Sequence, residues 1–288
     1  MPLPITQNTL ILFATYLCPT HSHKNISAHI AAIKFTSEIE GYDPDFTPFR
    51  RLYRVIRGIK RTQGSCFKKP PRIPITPSLL NQLGINLWNS LTAYQDKTML
   101  WAAMLTAFYG FLRVSEYTSS HVKKYNPLTT LCYEDITIQS HTIISIKIKS
   151  SKTDPFRQGT TLYLHRNNSP LCPFHALTNY LHTHPTRHGP LFTWHDGRFL
   201  TRSGLAAILL KIKPQHIMSM SSHSFRIGAA TTAAAAGFPR WLIQALGRWS
   251  SNCYKEYIRI PQTTLCNVSD ALAHTNPPPT PFDPDNMA

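Results

Sequence analysis

The residues with the clearest chemical potential lie in one block near position 225. His223 and Arg226 are three residues apart at the start of a predicted helix, so they share one of its faces. The N-terminus of a helix adds positive potential and free N–H groups. A histidine, an arginine and a helix N-terminus together predict a site for an anion such as a phosphate.

Two tyrosines follow in the segment 250–258, which the pattern predicts to be helical. Tyr254 and Tyr257 come shortly after Gly247-Arg248-Trp249. A tyrosine beside a cationic pocket can attack phosphorus if the surrounding cations favour the phenolate, because its ordinary pKa is about 10. This segment therefore supplies a candidate nucleophile.

Arg113 and Glu116 form a third candidate pair. They end a segment, residues 97–117, that is apolar almost all round and predicts one long buried helix. A buried arginine is unfavourable unless it is paired, and Glu116 is a suitable partner. An internal ion pair that only holds the helix in place explains the same pattern.

Lys152 lies at the tip of a predicted turn between two strands. Three isoleucines between positions 144 and 148 alternate with serine and lysine, and residues 161–164 form another short strand. This period of two predicts a small antiparallel sheet. Taken alone, Lys152 is an ordinary solvated lysine of a turn.

Most other segments have helical periodicity, so the predicted fold class is mainly α with a small antiparallel β-sheet (α+β). Residues 1–64 predict short helices and residues 65–75 a basic, proline-rich linker. Residues 76–262 form a second domain. Residues 263–288 are a tail that we expect to be disordered from residue 275.

A cationic stripe marks the segment 48–61. Apolar side chains occupy one helical face, and the opposite face carries Arg50, Arg54, Arg57 and Arg61. The linker adds Lys68 and Lys69. These six side chains are candidates for contacts with a nucleic acid backbone, although a solvated cationic helix face gives the same pattern.

The composition favours a polyanionic partner. The 288 residues include 30 Lys and Arg against 14 Asp and Glu, for a formal charge of +16. Nucleic acid is the first candidate and an acidic membrane surface the second. The sequence predicts no membrane span and no secretory signal, because it has no apolar stretch of about 18 residues and no charged start followed by an apolar run. It also predicts no disulfide framework and no metal site, because its six cysteines form no CxxC pair and its histidines are dispersed. We therefore expect an intracellular protein.

In this order and spacing, the motifs resemble the tyrosine recombinase (phage integrase) family. They are Arg113-Val114-Ser115-Glu116, a β-turn Lys152, His223-x-x-Arg226, Gly-x-Trp249 and Tyr257. Residues 246–251 and 257–259 are most similar to recombinases encoded by eukaryotic mobile elements. The resemblance covers residues 76–261 as a catalytic domain and, loosely, residues 9–64 as a helical core-binding domain that clamps DNA.

The resemblance implies a role for each catalytic position. Arg113 and Arg226 would hold the non-bridging oxygens of the scissile phosphate, which guanidinium binds bidentately. Tyr257 would be the nucleophile that forms a 3′-phosphotyrosine link, while Tyr254 packs or faces solvent.

The remaining roles concern protons and orientation. Lys152 would protonate the leaving 5′-oxygen, and His223 would position the phosphate and assist proton transfer. Glu116 would orient the residues of the pocket without contacting the phosphate itself. The resemblance implies no metal and no small-molecule cofactor.

One position departs from the family pattern. Most members have His or Trp nine residues before the nucleophile, where this chain has Arg248. We favour Trp249 for this role, because its ring can pack on the tyrosine segment while Nε1–H donates to phosphate. Arg248 remains an alternative.

The implied activity is site-specific breakage and rejoining of double-stranded DNA by a mobile-element recombinase that assembles a tetrameric synapse. A eukaryotic source would make the protein nuclear. An inactive DNA-binding relic and a type IB topoisomerase-like enzyme are the alternatives. The sequence leaves open the target site, the direction of the reaction, the host, and whether the short N-terminal domain is complete.

Overall fold

The computed structural model describes residues 5–42, 49–64, 66–67, 70–90, 92–151, 154, 156–184 and 188–259. The chain divides into two compact units, residues 1–70 and 71–288. The predicted fold class, mainly α with a small antiparallel sheet, is confirmed. No helix in the described part of the chain is both long enough and apolar enough to cross a membrane.

The first unit contains three helices: α1 (Gln7–Leu17), α2 (His23–Ile39) and α3 (Arg50–Gln63). Their apolar faces meet in one core, which includes Leu10, Ala14, Ile26, Ile30, Leu52 and Ile59. The buried amide of Gln63 fastens the end of α3 to the turn between α1 and α2. It accepts from the backbone of His23 over 2.8 Å and donates to the carbonyls of Cys18 and His21 over 3.0 and 2.8 Å.

The second unit is built around helix α5, which is buried at almost every position between Thr98 and Phe108. Helices α7 and α9 pack against it. The helices of this unit are α4 (Pro77–Trp88), α5 (Tyr94–Tyr109), α6 (Val114–Tyr117), α7 (Pro173–Thr183), α8 (Arg202–Ile212), α9 (His223–Ala235) and α10 (Arg240–Leu246), with 3₁₀ helices at Tyr133–Asp135 and Asn252–Glu256. A helix that is apolar all round belongs at the centre of a core, as observed.

The predicted sheet has three antiparallel strands in the order β1 (Ile136–Ile138), β2 (Ile143–Ile148) and β3 (Thr160–His165). Ile146 of β2 lies between Ile136 and Leu162. The alternating isoleucines of β2 are buried, as their period of two requires. Lys152 belongs to the β2–β3 connection but lies outside the described residues.

The prediction of one helix over residues 97–117 is wrong. Helix α5 ends at Tyr109, and Phe111 takes a left-handed backbone conformation with φ +50°. The backbone N–H groups of Phe111 and Leu112 turn back to the carbonyls of Phe108 and Ala107 over 3.2 and 3.0 Å. This is a Schellman motif, which closes a helix even without the glycine that usually occupies its left-handed position. The chain then restarts as α6.

The prediction of a helix over residues 250–258 is also wrong. The structure has a short 3₁₀ helix, Asn252–Glu256, begun by the Ser251 hydroxyl, which accepts from the backbone of Cys253 over 3.4 Å. Tyr257 directly follows it, and its carbonyl accepts a hydrogen bond from the Thr231 hydroxyl over 3.1 Å. A side chain of α9 takes a carbonyl that a longer helix would use internally.

Residues 71–75, the end of the predicted linker, run along the second unit. The backbone N–H groups of Ile73 and Ile75 donate to the carbonyls of Ser219 and Ser224, each over 3.0 Å. A Cβ at Gly228 would lie 1.9 Å from the carbonyl oxygen of Ile75, so only glycine allows this approach. The proline-rich composition does not indicate such a contact.

Candidate active site

Arg113 occupies the N-cap position of α6 and is paired with Glu116. Its backbone N–H donates to Glu116 Oε2 over 2.8 Å, and its Nη1 donates to Oε1 over 3.0 Å. The Glu116 side chain is 2% exposed and that of Arg113 is 15% exposed. The Schellman turn at Phe111 sets this arrangement, because it ends α5 and lets α6 begin at Val114 with Arg113 as its N-cap.

Arg226 is completely buried in α9. Its two terminal nitrogens donate to the carbonyls of Phe111 and Gly247, at the ends of α5 and α10. Its Cζ lies 4.2 Å from the centre of the Trp249 ring, a cation–π contact. Burial, and then the neighbouring Arg113 and Arg248, lower the pKa of Arg226 to about 9, so the group stays charged at neutral pH.

His223 begins α9 and is neutral at pH 7. Its pKa is lowered to about 4, first by burial and then by the charges of Arg72, Arg226, Arg113 and Arg202. A neutral imidazole can accept a proton or a hydrogen bond. Arg72 and Arg202 were not predicted to influence His223, because no short spacing in the sequence links either of them to it.

Tyr257 completes a cluster of rings. Its ring centroid lies 5.1 Å from that of His223 and 4.8 Å from that of Trp249, and the Arg226 Cζ is 5.7 Å from its centre. The structure therefore brings His223, Arg226, Trp249 and Tyr257 together. Tyr254 is buried, with its ring 6.4 Å from Trp249, so it packs behind the cluster.

Trp249 carries an unused hydrogen-bond donor into this cluster. Its Nε1 is buried and has no hydrogen-bond partner among the described residues. A buried donor without a partner costs about 1–3 kcal/mol, which an anionic ligand would offset. Gly247 makes room for the ring, because a Cβ there would lie 1.7 Å from Trp249 Cζ3.

Arg248 points elsewhere, although it is adjacent to Trp249 in the chain. Its Nη2 donates to Glu116 Oε2 over 2.8 Å, and its backbone is left-handed, with φ +53°. The two candidates for the His/Trp position thus have different neighbours. Trp249 contacts Tyr257, whereas Arg248 contacts the carboxylate behind Arg113.

Thr231 is a further site residue that the sequence analysis missed. Its hydroxyl donates to the carbonyl of Tyr257 and accepts from the backbone N–H of Arg259, each over 3.1 Å. The tyrosine segment is thereby attached to the helix that carries His223 and Arg226. An isolated threonine in an alanine-rich helix gives no sequence signal for this role.

A pocket of about 530 Å³ opens beside α6 and was also missed. Hydroxyl groups and one arginine dominate its lining, which includes Ser115, Thr118, Ser119, Ser150, Ser151 and Arg202. Its residues come from separate turns and helix ends, so no sequence spacing indicates it.

The remaining predicted site residues are not part of this cluster. Lys152, Lys68 and Lys69 lie outside the described residues. Arg50, Arg54, Arg57 and Arg61 belong to α3 of the first unit, and all four are exposed. Within the described ranges, no group of three or more His, Cys, Asp or Glu side chains is arranged to hold a metal ion.

The chemistry that this site can perform follows from its donors. Arg113 and Arg226, with the Trp249 indole, can surround a phosphoryl group, where fixed donors stabilise developing negative charge. The Tyr257 ring lies beside Arg226 and His223, where its hydroxyl could act as a nucleophile. The neutral His223 can take a proton.

No protein-family model matches the sequence, and the search of curated proteins gives no match. Among solved structures, the Tn1549 transposon integrase in complex with circular intermediate DNA is similar at 13% identity and a TM-score of 0.57, covering 93% of this chain and 86% of that one. XerH site-specific recombinase, in a post-cleavage complex with palindromic difH substrate, is similar at 12% identity and a TM-score of 0.59, over 94% and 71%.

XerA recombinase is similar at 16% identity and a TM-score of 0.50, over 94% of this chain and 91% of that one. The three neighbours are named as one integrase and two recombinases. At such low identity the likeness shows the fold. The predicted fold, mainly α with a small three-stranded antiparallel sheet, matches the fold of these structures.

Proposed function

We propose that this protein breaks and rejoins strands of double-stranded DNA through a covalent link between Tyr257 and a 3′-phosphate. One observation carries the proposal: the Tyr257 ring lies 4.8 Å from Trp249 and 5.1 Å from His223, against the buried Arg226. A phenol among cations and neutral donors suits attack on a phosphodiester. Structures of this fold named as bound to DNA support the same substrate class.

In the proposed cleavage step, the Tyr257 oxygen attacks the scissile phosphorus. An O–P bond to tyrosine forms, the bond from phosphorus to the 5′-oxygen breaks, and Lys152 gives the leaving oxygen a proton. His223 accepts the phenol proton, directly or through water. The tyrosine ester replaces one phosphodiester, so a 5′-hydroxyl can reverse the step without ATP.

The side chains supply the positive charge that the transition state needs. Arg113 and Arg226 bind the non-bridging oxygens, and Trp249 Nε1–H donates to one of them. Glu116 holds Arg113 in place. Because these donors suffice to neutralise the developing charge, we expect cleavage to continue in the presence of a chelator.

The two domains are assigned different roles in this proposal. We propose that residues 1–64 clamp DNA through Arg50, Arg54, Arg57 and Arg61, with Lys68 and Lys69 of the linker 65–75. Residues 76–262 carry the chemistry, and 263–288 form the tail. We further propose a tetrameric synapse, a mobile-element origin and, in a eukaryotic host, a nuclear location.

The decisive experiment uses DNA with a nick near the cleavage site, so that the cleaved fragment diffuses away and the covalent intermediate accumulates. Random duplexes carrying such nicks are incubated with the full chain, and adducts are resolved by denaturing electrophoresis. We expect an adduct with the parent and with Tyr254→Phe but none with Tyr257→Phe. Sequencing the trapped DNA identifies the target.

The contrary results are equally clear. An adduct that survives Tyr257→Phe and disappears with Tyr254→Phe would move the nucleophile. DNA binding without an adduct in any condition would favour the inactive relic. Relaxation of supercoiled DNA without strand exchange would favour the topoisomerase alternative.

A further inference from the structure

Arg248 connects the elements that surround Arg113. Its Nη2 donates to Glu116 Oε2 over 2.8 Å and to the carbonyl of Phe111 over 3.2 Å. Its Nη1 donates to the carbonyls of Gly110 and Leu246 over 3.2 and 3.3 Å. The side chain is 7% exposed, so its ion pair with Glu116 lies inside the protein. One guanidinium thus links the end of α5, helix α6 and the end of α10.

The backbone of Arg248 is unusual for an arginine. The N–H groups of Arg248 and Trp249 donate to the carbonyls of Ala245 and Gln244 over 2.9 and 3.1 Å, which makes a Schellman motif at the end of α10. The equivalent turn after α9 uses Gly237, the ordinary choice for a left-handed position. An arginine in this conformation is less favourable than glycine, so the contacts of its side chain must offset a backbone cost.

Arg113 is the group on which these contacts converge. Glu116 divides its carboxylate, with Oε1 toward Arg113 and Oε2 toward Arg248. The Nη2 of Arg113 also donates to the carbonyl of Arg248 over 3.5 Å. Arg248 therefore restrains Arg113 twice, once through Glu116 and once through its own backbone.

We propose that Arg248 is a positioning residue that fixes the orientation of Arg113 toward the scissile phosphate and does not touch the phosphate itself. This inference rests on the proposed function. Each terminal nitrogen of Arg248 donates twice, to Glu116 and three carbonyl oxygens, so its four terminal N–H groups are used. Each terminal nitrogen of Arg226 donates to one carbonyl and keeps a second N–H for the phosphate. The Arg248 side chain therefore acts through Arg113, and the phosphate contact next to Tyr257 falls to Trp249.

Because Arg248 has a left-handed backbone, two substitutions there can separate an effect on activity from an effect on stability. Arg248→Gly removes the side chain but suits the backbone conformation, whereas Arg248→Met removes the charge and keeps the unfavourable conformation. The control, Arg198→Met, breaks the exposed pair of Arg198 with Asp196. We expect Arg248→Gly to be the more stable of the two Arg248 variants and both to cleave slowly.

Single-turnover cleavage is then measured on nicked DNA with either a normal scissile phosphate or a methylphosphonate, which lacks one charged oxygen. Losing an aligned cation costs roughly 100-fold or more on the charged phosphate. It costs far less where that charge is absent. We expect both Arg248 variants to lower the ratio of phosphate to methylphosphonate rates at least ~10-fold, while Arg198→Met leaves it unchanged.

A second measurement does not depend on activity. The ¹⁵N signals of the Arg113 side chain, assigned with Arg113→Lys, report its environment in the full-length protein. We expect these signals to change in Arg248→Gly.

Two results would overturn the inference: parent-like cleavage by Arg248→Gly, or equal slowing on both substrates with unchanged Arg113 signals. If the parent itself forms no adduct, the proposed function fails, and the Arg113 signals still decide whether Arg248 orients Arg113.

Discussion

Two sets of arginines differ sharply in this molecule. The second unit contains three arginines that are partly or wholly buried: Arg113, Arg226 and Arg248. Each contacts carbonyl, carboxylate or aromatic groups. The α3 set, Arg50, Arg54, Arg57 and Arg61, is exposed to solvent along one helical face. The two sets contain the same side chain in opposite environments.

The two environments predict two different roles for an arginine. Burying a guanidinium is costly, so its position must be over-determined by partners, and such a group can aim at one atom. An exposed arginine keeps its rotamer freedom and offers charge without a fixed direction. We therefore expect the buried set to govern reaction rate and the α3 set to govern DNA affinity and its dependence on salt.

The largest expected effect follows from replacing Arg226. We predict that Arg226→Lys slows cleavage at saturating DNA by about 100- to 1,000-fold, because lysine cannot reproduce the planar bidentate donor. Single-turnover adduct formation measures this. Arg54→Ala is the matched control and should leave the saturated rate unchanged. Equal losses in the two variants would erase the distinction between the sets.

The second prediction concerns the glycine beneath Trp249. In Gly247→Ala the new Cβ meets the indole ring, which must move away from Tyr257. We expect the free energy of unfolding to fall by about 1–3 kcal/mol, as for other overpacked sites, and cleavage to slow. Urea denaturation measures the first effect.

The control for that substitution is Gly58→Ala in α3. A Cβ at Gly58 would contact nothing within 4 Å, so alanine should stabilise this helix by about 0.5–1 kcal/mol. Destabilisation by Gly58→Ala, or tolerance of Gly247→Ala, would contradict the contrast between a packed and an open region.

The third prediction concerns pH. The pKa of His223 is about 4 in the folded protein and about 6.5 in an unfolded chain. Between these values the unfolded chain binds a proton that the folded protein does not, so stability should decrease as pH falls from 7 to 4. Denaturation across this range should show a shallower pH dependence for His223→Gln, while the surface variant His141→Gln keeps the parent slope. Identical slopes in all three would show that His223 is not buried as described.

The smallest effects are expected from single replacements in α3. Each of Arg50, Arg54, Arg57 and Arg61, changed to alanine, should reduce the slope of log affinity against log salt by about one if it neutralises a phosphate. The free energy of unfolding should change by no more than about 0.5 kcal/mol. Filter binding over a salt series tests this, and an unchanged slope would leave the stripe as a solvated helix face.

Local patterns were sufficient to predict much of the fold. The period of two in β2 predicted the sheet, and the interleaved faces of α3 predicted its core and its cationic stripe. The spacing of His223 and Arg226 also predicted that they share one helical face, and both side chains lie beside the Tyr257 ring. These features depend on near neighbours in the chain.

The missed features depend on distant parts of the chain. The break after α5 uses Phe111 in a conformation that glycine normally adopts, so nothing in the sequence marked it. Thr231 acts on Tyr257, 26 residues away, and Arg248 reaches Glu116 at a separation of 132 residues. Such contacts exist only after the helices have packed.

The carbonyl of Phe111 serves two guanidinium groups, Arg226 and Arg248. Every residue has a main-chain carbonyl, so an alanine substitution at position 111 does not remove this acceptor. Selection could adjust it only by changing how readily that residue adopts positive φ. Variation at position 111 would then shift the guanidinium groups of Arg226 and Arg248 together.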